Sequence, residues 1–103
     1  MNDLIMIVED DEVIARAVQQ SLVSWGMDAF CVQDFSSVLA EFAVKNPQLV
    51  LMDIHLPFFN GYHWCQEIRK VSKVPILFLT SAGDSVNTVM AMQLGGDDLL
   101  AKP

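Results

Sequence analysis

The sequence predicts a doubly wound α/β domain around a five-stranded parallel sheet. Three observations predict it. Short, solidly apolar runs recur at residues 4–8, 29–32, 49–52, 76–79 and 99–101. None of them alternates polar with apolar, and unbroken runs of this kind fit strands covered on both faces. Segments of helical length and period separate the runs, giving the order β-α-β-α-β-α-β-α-β. Strict alternation favours right-handed crossovers within one parallel sheet.

The first run, LIMIV, passes directly into the acids Glu9, Asp10, Asp11 and Glu12. Val13, Ala17, Val18 and Leu22 then form the apolar stripe of a first helix, and Gly26 is placed to end it. After the second run, Val38, Leu39, Phe42 and Ala43 form a second stripe, stopped by Asn46-Pro47. The third helix is entered through Asn60-Gly61 and carries Trp64, Ile68 and Val71. The fourth carries Val86, Val89, Met90 and Leu94 between a capping Asp84 and a terminating Gly95. The fifth run is followed by Lys102 and Pro103. A doubly wound sheet carries one more helix there, so a final helix is expected beyond this chain. Without it, open apolar surface is expected to promote self-association.

A chain of 103 residues makes a single domain. Its 52% hydrophobic content argues against disorder. The net charge of −7 leaves no basic face for a nucleic-acid backbone, and suits a cation or a basic protein partner instead. Cys31 and Cys65 are isolated and read as free thiols rather than a disulfide. No signal peptide precedes the first run, and no apolar stretch approaches the roughly 18 residues of a membrane span. A cytoplasmic domain with no membrane partner is the expectation.

The polar residues fall where the strands end. Glu9 and Asp10 follow the first run, Asp53 the third, Thr80 and Ser81 the fourth, and Lys102 the fifth. In open α/β sheets, ligands bind outside the carboxyl ends of the strands, where the winding direction switches. With strands 1 and 3 as neighbours, Glu9, Asp10 and Asp53 meet in one crevice flanked by Thr80 and Lys102. Three close carboxylates need counter-charge to stay ionised. Lys102 supplies one positive charge and a hard divalent cation the rest. Mg²⁺ suits a site of few carboxylates completed by water and phosphate oxygens. A phosphoryl group can then approach, with Asp53 as nucleophile and Thr80 and Lys102 as donors to its oxygens. The turn VEDDEVIA contains no glycine, so neither a dinucleotide fingerprint nor a phosphate-binding glycine loop starts after strand 1.

Four stretches, IMIVEDDE, LVLMDIHLPFFNG, VPILFLTS and GGDDLLAKP, together resemble the receiver domain of a two-component response regulator, the CheY-like family. The resemblance spans the chain. It implies a flavodoxin-like sheet of order 2-1-3-4-5 and Asp53 as phosphoacceptor. It also implies Mg²⁺ held by Asp10 directly, by Glu9 through water, by Asp53, and by the main-chain carbonyl of His55. Thr80 would be the switch hydroxyl and Lys102 the phosphate-binding lysine. The implied donor is a phosphohistidine on a sensor histidine kinase. The GGDDLLAKP ending is similar to receivers of the OmpR/PhoB class, which bind DNA through a C-terminal winged-helix domain and dimerise when activated. Such a domain is expected downstream and is absent from this chain. QDFSSVLAEF, GYHWCQEIR and MAMQLGGDD resemble regulators paired with bacitracin or antimicrobial-peptide sensing systems. Leu99 stands where receivers usually carry Tyr or Phe, so an aromatic rotation cannot serve as its switch signal.

Plainer readings stand beside these. Asp11 and Glu12 suit the positive end of a helix dipole. The side chain of His55 borders the site, where it would influence the water that attacks an acyl phosphate; the plainer reading is a solvent-facing loop histidine. His63 and Cys65, two apart on a helix, do not share a face and read as packing rather than zinc ligands. Met90 and Met92 read as core and surface of the fourth helix. Two other functions fit parts of the pattern. An aspartyl phosphatase of the haloacid-dehalogenase type also uses a strand-end Asp and Mg²⁺, but needs a second acid two residues on, where this chain has His55. A phosphorylation-independent interaction module would bind no Mg²⁺ at millimolar concentration.

Overall fold

The structure is a computed structural model that describes residues 3–80 and 98–101, with side chains from 3 to 79. Five parallel strands form one sheet in the order β2-β1-β3-β4-β5. They are β1 (Leu4–Val8), β2 (Asp28–Cys31), β3 (Leu49–Asp53), β4 (Ile76–Thr80) and β5 (Asp98–Ala101). Between the first four lie α1 (Glu12–Ser24), α2 (Val38–Lys45) and α3 (Gly61–Arg69). The expected order 2-1-3-4-5 is therefore the observed one. The fourth predicted helix, with Asp84 and Gly95, lies outside the described residues, as do Met90 and Met92.

The unbroken apolar runs are explained by the two faces they serve. Met6, Val8, Val50, Met52, Ile76 and Phe78 pack with Val38 and Phe42 of α2 and Trp64, Cys65 and Ile68 of α3. The alternate residues Ile5, Ile7, Leu51 and Leu79 pack with Ala15, Val18 and Leu22 of α1. A strand apolar at every position is what a sheet covered on both sides requires.

Helix ends follow local chemistry. Asp11 caps α1 by accepting the N–H groups of Val13 at 3.0 Å and Ile14 at 3.3 Å. Its exit is a Schellman turn: Gly26 donates to the Val23 carbonyl and Met27 to that of Leu22, at 3.0 and 3.1 Å. Gly26 sits at φ 88°, a conformation glycine adopts without strain. Asn46, at φ 48°, ends α2 in the same left-handed region, as the Asn46-Pro47 stop predicts. Asn60 caps α3 through a 3.0 Å bond from His63 N–H.

The helix faces differ from expectation in phase. Val13 is 78% exposed, and Ala17 and Ala43 also face outward. The four-residue spacings 13–17 and 18–22 trace two neighbouring rows of α1. The sheet covers the row containing Ala15, Val18 and Leu22. Val71 lies beyond the end of α3 and is 67% exposed, so Trp64 and Ile68 carry that helix's buried face. Strands β2 to β5 begin or end one residue from the predicted limits. Both cysteines are free: Cys65 is buried and Cys31 half-buried.

Candidate functional site

Register brings the acids together. Val8 of β1 pairs with Met52 of β3, so the next residues along each strand, Glu9 and Asp53, leave neighbouring strands side by side. Glu9 and Asp53 are buried, at 3% and 2% exposure, and Asp10 is exposed. Oxygens of the three carboxylates lie within 4.8 Å of one another. They are the one group of potential metal ligands of this kind among the described residues. The site stands at the β1/β3 switch point, where the connections leave toward opposite faces.

The acid run divides by role. Glu9 Oε2 accepts the Asp11 N–H at 3.2 Å, which ties the floor of the site to the start of α1. Asp11 spends its carboxylate on the helix cap and Glu12 lies in the first turn. Both match the expectation of a solvated helix start. A cleft of about 560 Å³ opens from Glu9 and Asp10 along α1 and β2, past Arg16, Gln19 and Cys31. It borders the acid site without reaching Asp53.

On the other side, Asp53 Oδ1 accepts the His55 N–H at 3.4 Å. The His55 side chain is exposed. The next turn is closed by Gly61, whose N–H donates to the Ile54 carbonyl at 2.9 Å. From the sequence, Gly61 marks only the entry of α3. The signal that it does more is a glycine opening a helix already capped by Asn60. His63 stacks on Phe59 with ring centroids 4.3 Å apart, while Cys65 is buried in the core, so packing accounts for this pair.

Thr80 ends β4. Asp53 pairs with Leu79, so the Thr80 backbone stands one residue past the partner of Asp53, opposite Ala101. Lys102 follows Ala101 in sequence but lies outside the described residues, as does Ser81. Leu99 is placed by its backbone alone, paired with Phe78. The structure thus brings together Glu9, Asp10 and Asp53, with the His55 backbone beside them. Few hard oxygen donors, two buried and one exposed, suit Mg²⁺ with water completing its shell.

A 2-1-3-4-5 sheet with this carboxylate cluster at its switch point is the arrangement expected of a receiver-type fold. The chain belongs to the response regulator receiver domain family, whose model matches residues 5–103. It is therefore of a phosphoacceptor class rather than an enzyme in the ordinary sense. It is 48% identical over 99 residues to the sensory transduction protein BceR of Bacillus subtilis, covering 96% of this chain and 43% of that protein. It is 39% identical to the response regulator protein GraR of Staphylococcus aureus, covering 96% of this chain and 44% of GraR. The chain thus spans less than half the length of these relatives. Among solved structures, the N-terminal domain of the nisin resistance regulator NsrR, a lantibiotic response regulator, matches with TM-score 0.89 at 41% identity. That match covers 100% of this chain and 87% of that one. The beryllofluoride-activated receiver domain of Klebsiella pneumoniae RstA matches with TM-score 0.91 at 29% identity, covering 97% and 86%. The resemblance to antimicrobial-peptide-resistance regulators of the OmpR class holds. Among the described residues, no helix is long and apolar enough to cross a membrane.

Proposed function

We propose that this chain is the phosphorylation switch of a two-component system and that Asp53 is its phosphoacceptor. One observation carries the reading: Asp53 is held at the end of β3 with its oxygens within 4.8 Å of those of Glu9 and Asp10. A carboxylate so placed stands beside the other two acids while its backbone stays locked in the sheet. Asp53 attacks the phosphorus of a phosphohistidine on a sensor histidine kinase. A P–O bond forms, the P–N bond breaks, and the electron pair leaves with the imidazole nitrogen. Asp10, Glu9, Asp53 and the His55 main-chain carbonyl would hold Mg²⁺. When bound, it supplies the positive charge that lets a phosphoryl group enter an anionic site. Thr80 and Lys102 are assigned to the phosphoryl oxygens on family resemblance.

Phosphorylation adds negative charge and strong acceptors at the β3 end. The response is a biased equilibrium between two arrangements of the domain. The OmpR/PhoB-class resemblance supports a DNA-binding domain after the receiver in the full-length protein, and the 43% share of BceR that the chain spans leaves room for one. There, activation promotes homodimerisation and transcription control in the cytoplasm. The test is incubation with Mg²⁺ and a small acyl phosphate, read by intact mass. The native protein should gain one phosphoryl group, and Asp53→Asn should gain none. A gain that survives Asp53→Asn would overturn the assignment.

A further inference from the structure

We infer that Gly61 is a positioning residue for the Asp53 carboxylate, acting through the peptide that joins Ile54 to His55. The inference rests on the phosphoacceptor reading above.

Two hydrogen bonds grip that single peptide. Its carbonyl, from Ile54, accepts the Gly61 N–H at 2.9 Å. Its N–H, from His55, donates to Asp53 Oδ1 at 3.4 Å. A peptide is a rigid plane with its C=O and N–H pointing in opposite directions. Fixing the carbonyl from the α3 side therefore fixes the direction in which the N–H meets the carboxylate. The first residue of α3 aims a donor at the reacting side chain without touching it.

The arrangement requires a glycine for space. Gly61 is absent from the residues at positive φ, so its backbone would accept any residue. A Cβ there would collide with the Asp53 carbonyl oxygen and lie 3.0 Å from both the Asp53 carbonyl carbon and Met52 Cγ. Neither side can yield easily. Asp53 and Met52 are locked in the centre of the sheet, and Tyr62, Trp64, Cys65 and Ile68 anchor α3 in the core. A methyl group forces a displacement on the order of 1 Å before contacts become ordinary. Whichever side moves, the bond to the Ile54 carbonyl lengthens and the peptide is free to tilt.

The experiment compares two glycines in the full-length protein. Gly26→Ala strains a left-handed turn where a methyl would touch nothing within 4 Å. It lowers stability far from the acids. Gly61→Ala crowds Asp53. With Mg²⁺ and acetyl phosphate, the phosphorylation rate per folded molecule should fall roughly 10–100-fold in Gly61→Ala and stay at the native value in Gly26→Ala. A Gly61→Ala variant that loses thermal stability but phosphorylates at the native rate would show a structural role alone and overturn the inference.

Should Gly61→Ala fail to fold, amide spectra of the native protein decide. The Gly61 amide should be protected from hydrogen exchange, and the Gly61 and His55 amide resonances should shift together when beryllofluoride binds. Free exchange at Gly61, or a His55 shift with Gly61 unmoved, would overturn the relay. A native protein that takes neither phosphoryl group nor beryllofluoride removes the phosphoacceptor reading, and this inference with it.

Discussion

The Asp11 N–H donates to Glu9 Oε2 at 3.2 Å, while Asp11 Oδ1 turns away to accept two N–H groups of α1. Adjacent acids thus serve opposite sides of one turn. Asp11 is a cap, and removing its acceptor leaves orphan donors at the helix start. Asp11→Ala should therefore lose about 0.5–2 kcal/mol of stability, and Asp11→Asn much less, because an amide oxygen still caps. Urea midpoints of the two variants check this.

Asp10 has the opposite balance. Its exposed carboxylate shares a 4.8 Å cluster with Glu9 and Asp53. Without a cation the three repel one another; on the proposed reading, a bound Mg²⁺ would offset that repulsion with Asp10 as a direct ligand. Asp10→Asn should raise thermal stability in the presence of a chelator and weaken Mg²⁺ binding by at least about 10-fold. Native protein should then gain more stability from added Mg²⁺ than the variant does, because binding to the folded state alone drives the gain. Melting curves with and without Mg²⁺ measure both signs. Equal Mg²⁺-induced shifts in the two proteins would remove Asp10 from the metal site.

The buried face of α3 gives a contrast within one segment. Ile68 is fully buried against the sheet, and Val71 is 67% exposed beyond the helix end. Ile68→Ala should cost about 2–5 kcal/mol through lost transfer energy and a residual cavity. Val71→Ala should stay within about 0.5 kcal/mol. Similar losses at both positions would restore Val71 to the stripe from which the structure removes it.

The central strands β1 and β3 were legible because burial on both sides leaves their interiors no polar position, and such a run has only its ends to misplace. The site acids were legible for a related reason: a carboxylate directly after a solidly apolar strand has no packing role there. Helix phase was less legible. Val13 and Val18 are the same residue type, and only the docking of α1 on Ile5, Ile7 and Leu51 separates the wet one from the half-buried one. Contacts made to the backbone across loops were not legible at all. Glu41 accepts the N–H groups of Gln33 at 3.1 Å and Asp34 at 2.9 Å across a loop. The approach of Gly61 to Asp53 likewise depends on how α3 lands on the sheet.

Cys31 carries a pH dependence whose sign follows from burial. It lies at the end of β2 beside α1, and desolvation pushes its thiol above the usual value near 9.0, with the charge of Arg16 pulling partly back. The folded chain therefore keeps this proton to higher pH than the unfolded chain. Between the two values the unfolded state binds fewer protons, so stability falls as pH rises. The contribution is complete below the ordinary thiol value and is lost as pH climbs through the raised one. Urea midpoints followed from about pH 7 to about pH 10 should decline more in native protein than in Cys31→Ala. Alkylation gives a second reading, because the thiolate is the reactive form. At about pH 8 native Cys31 should react more slowly than a free thiol, and buried Cys65 more slowly still. Denaturation should expose both at ordinary rates, since neither is in a disulfide. A Cys31 that reacts as fast as a free thiol in the folded protein would mean that α1 does not shield it.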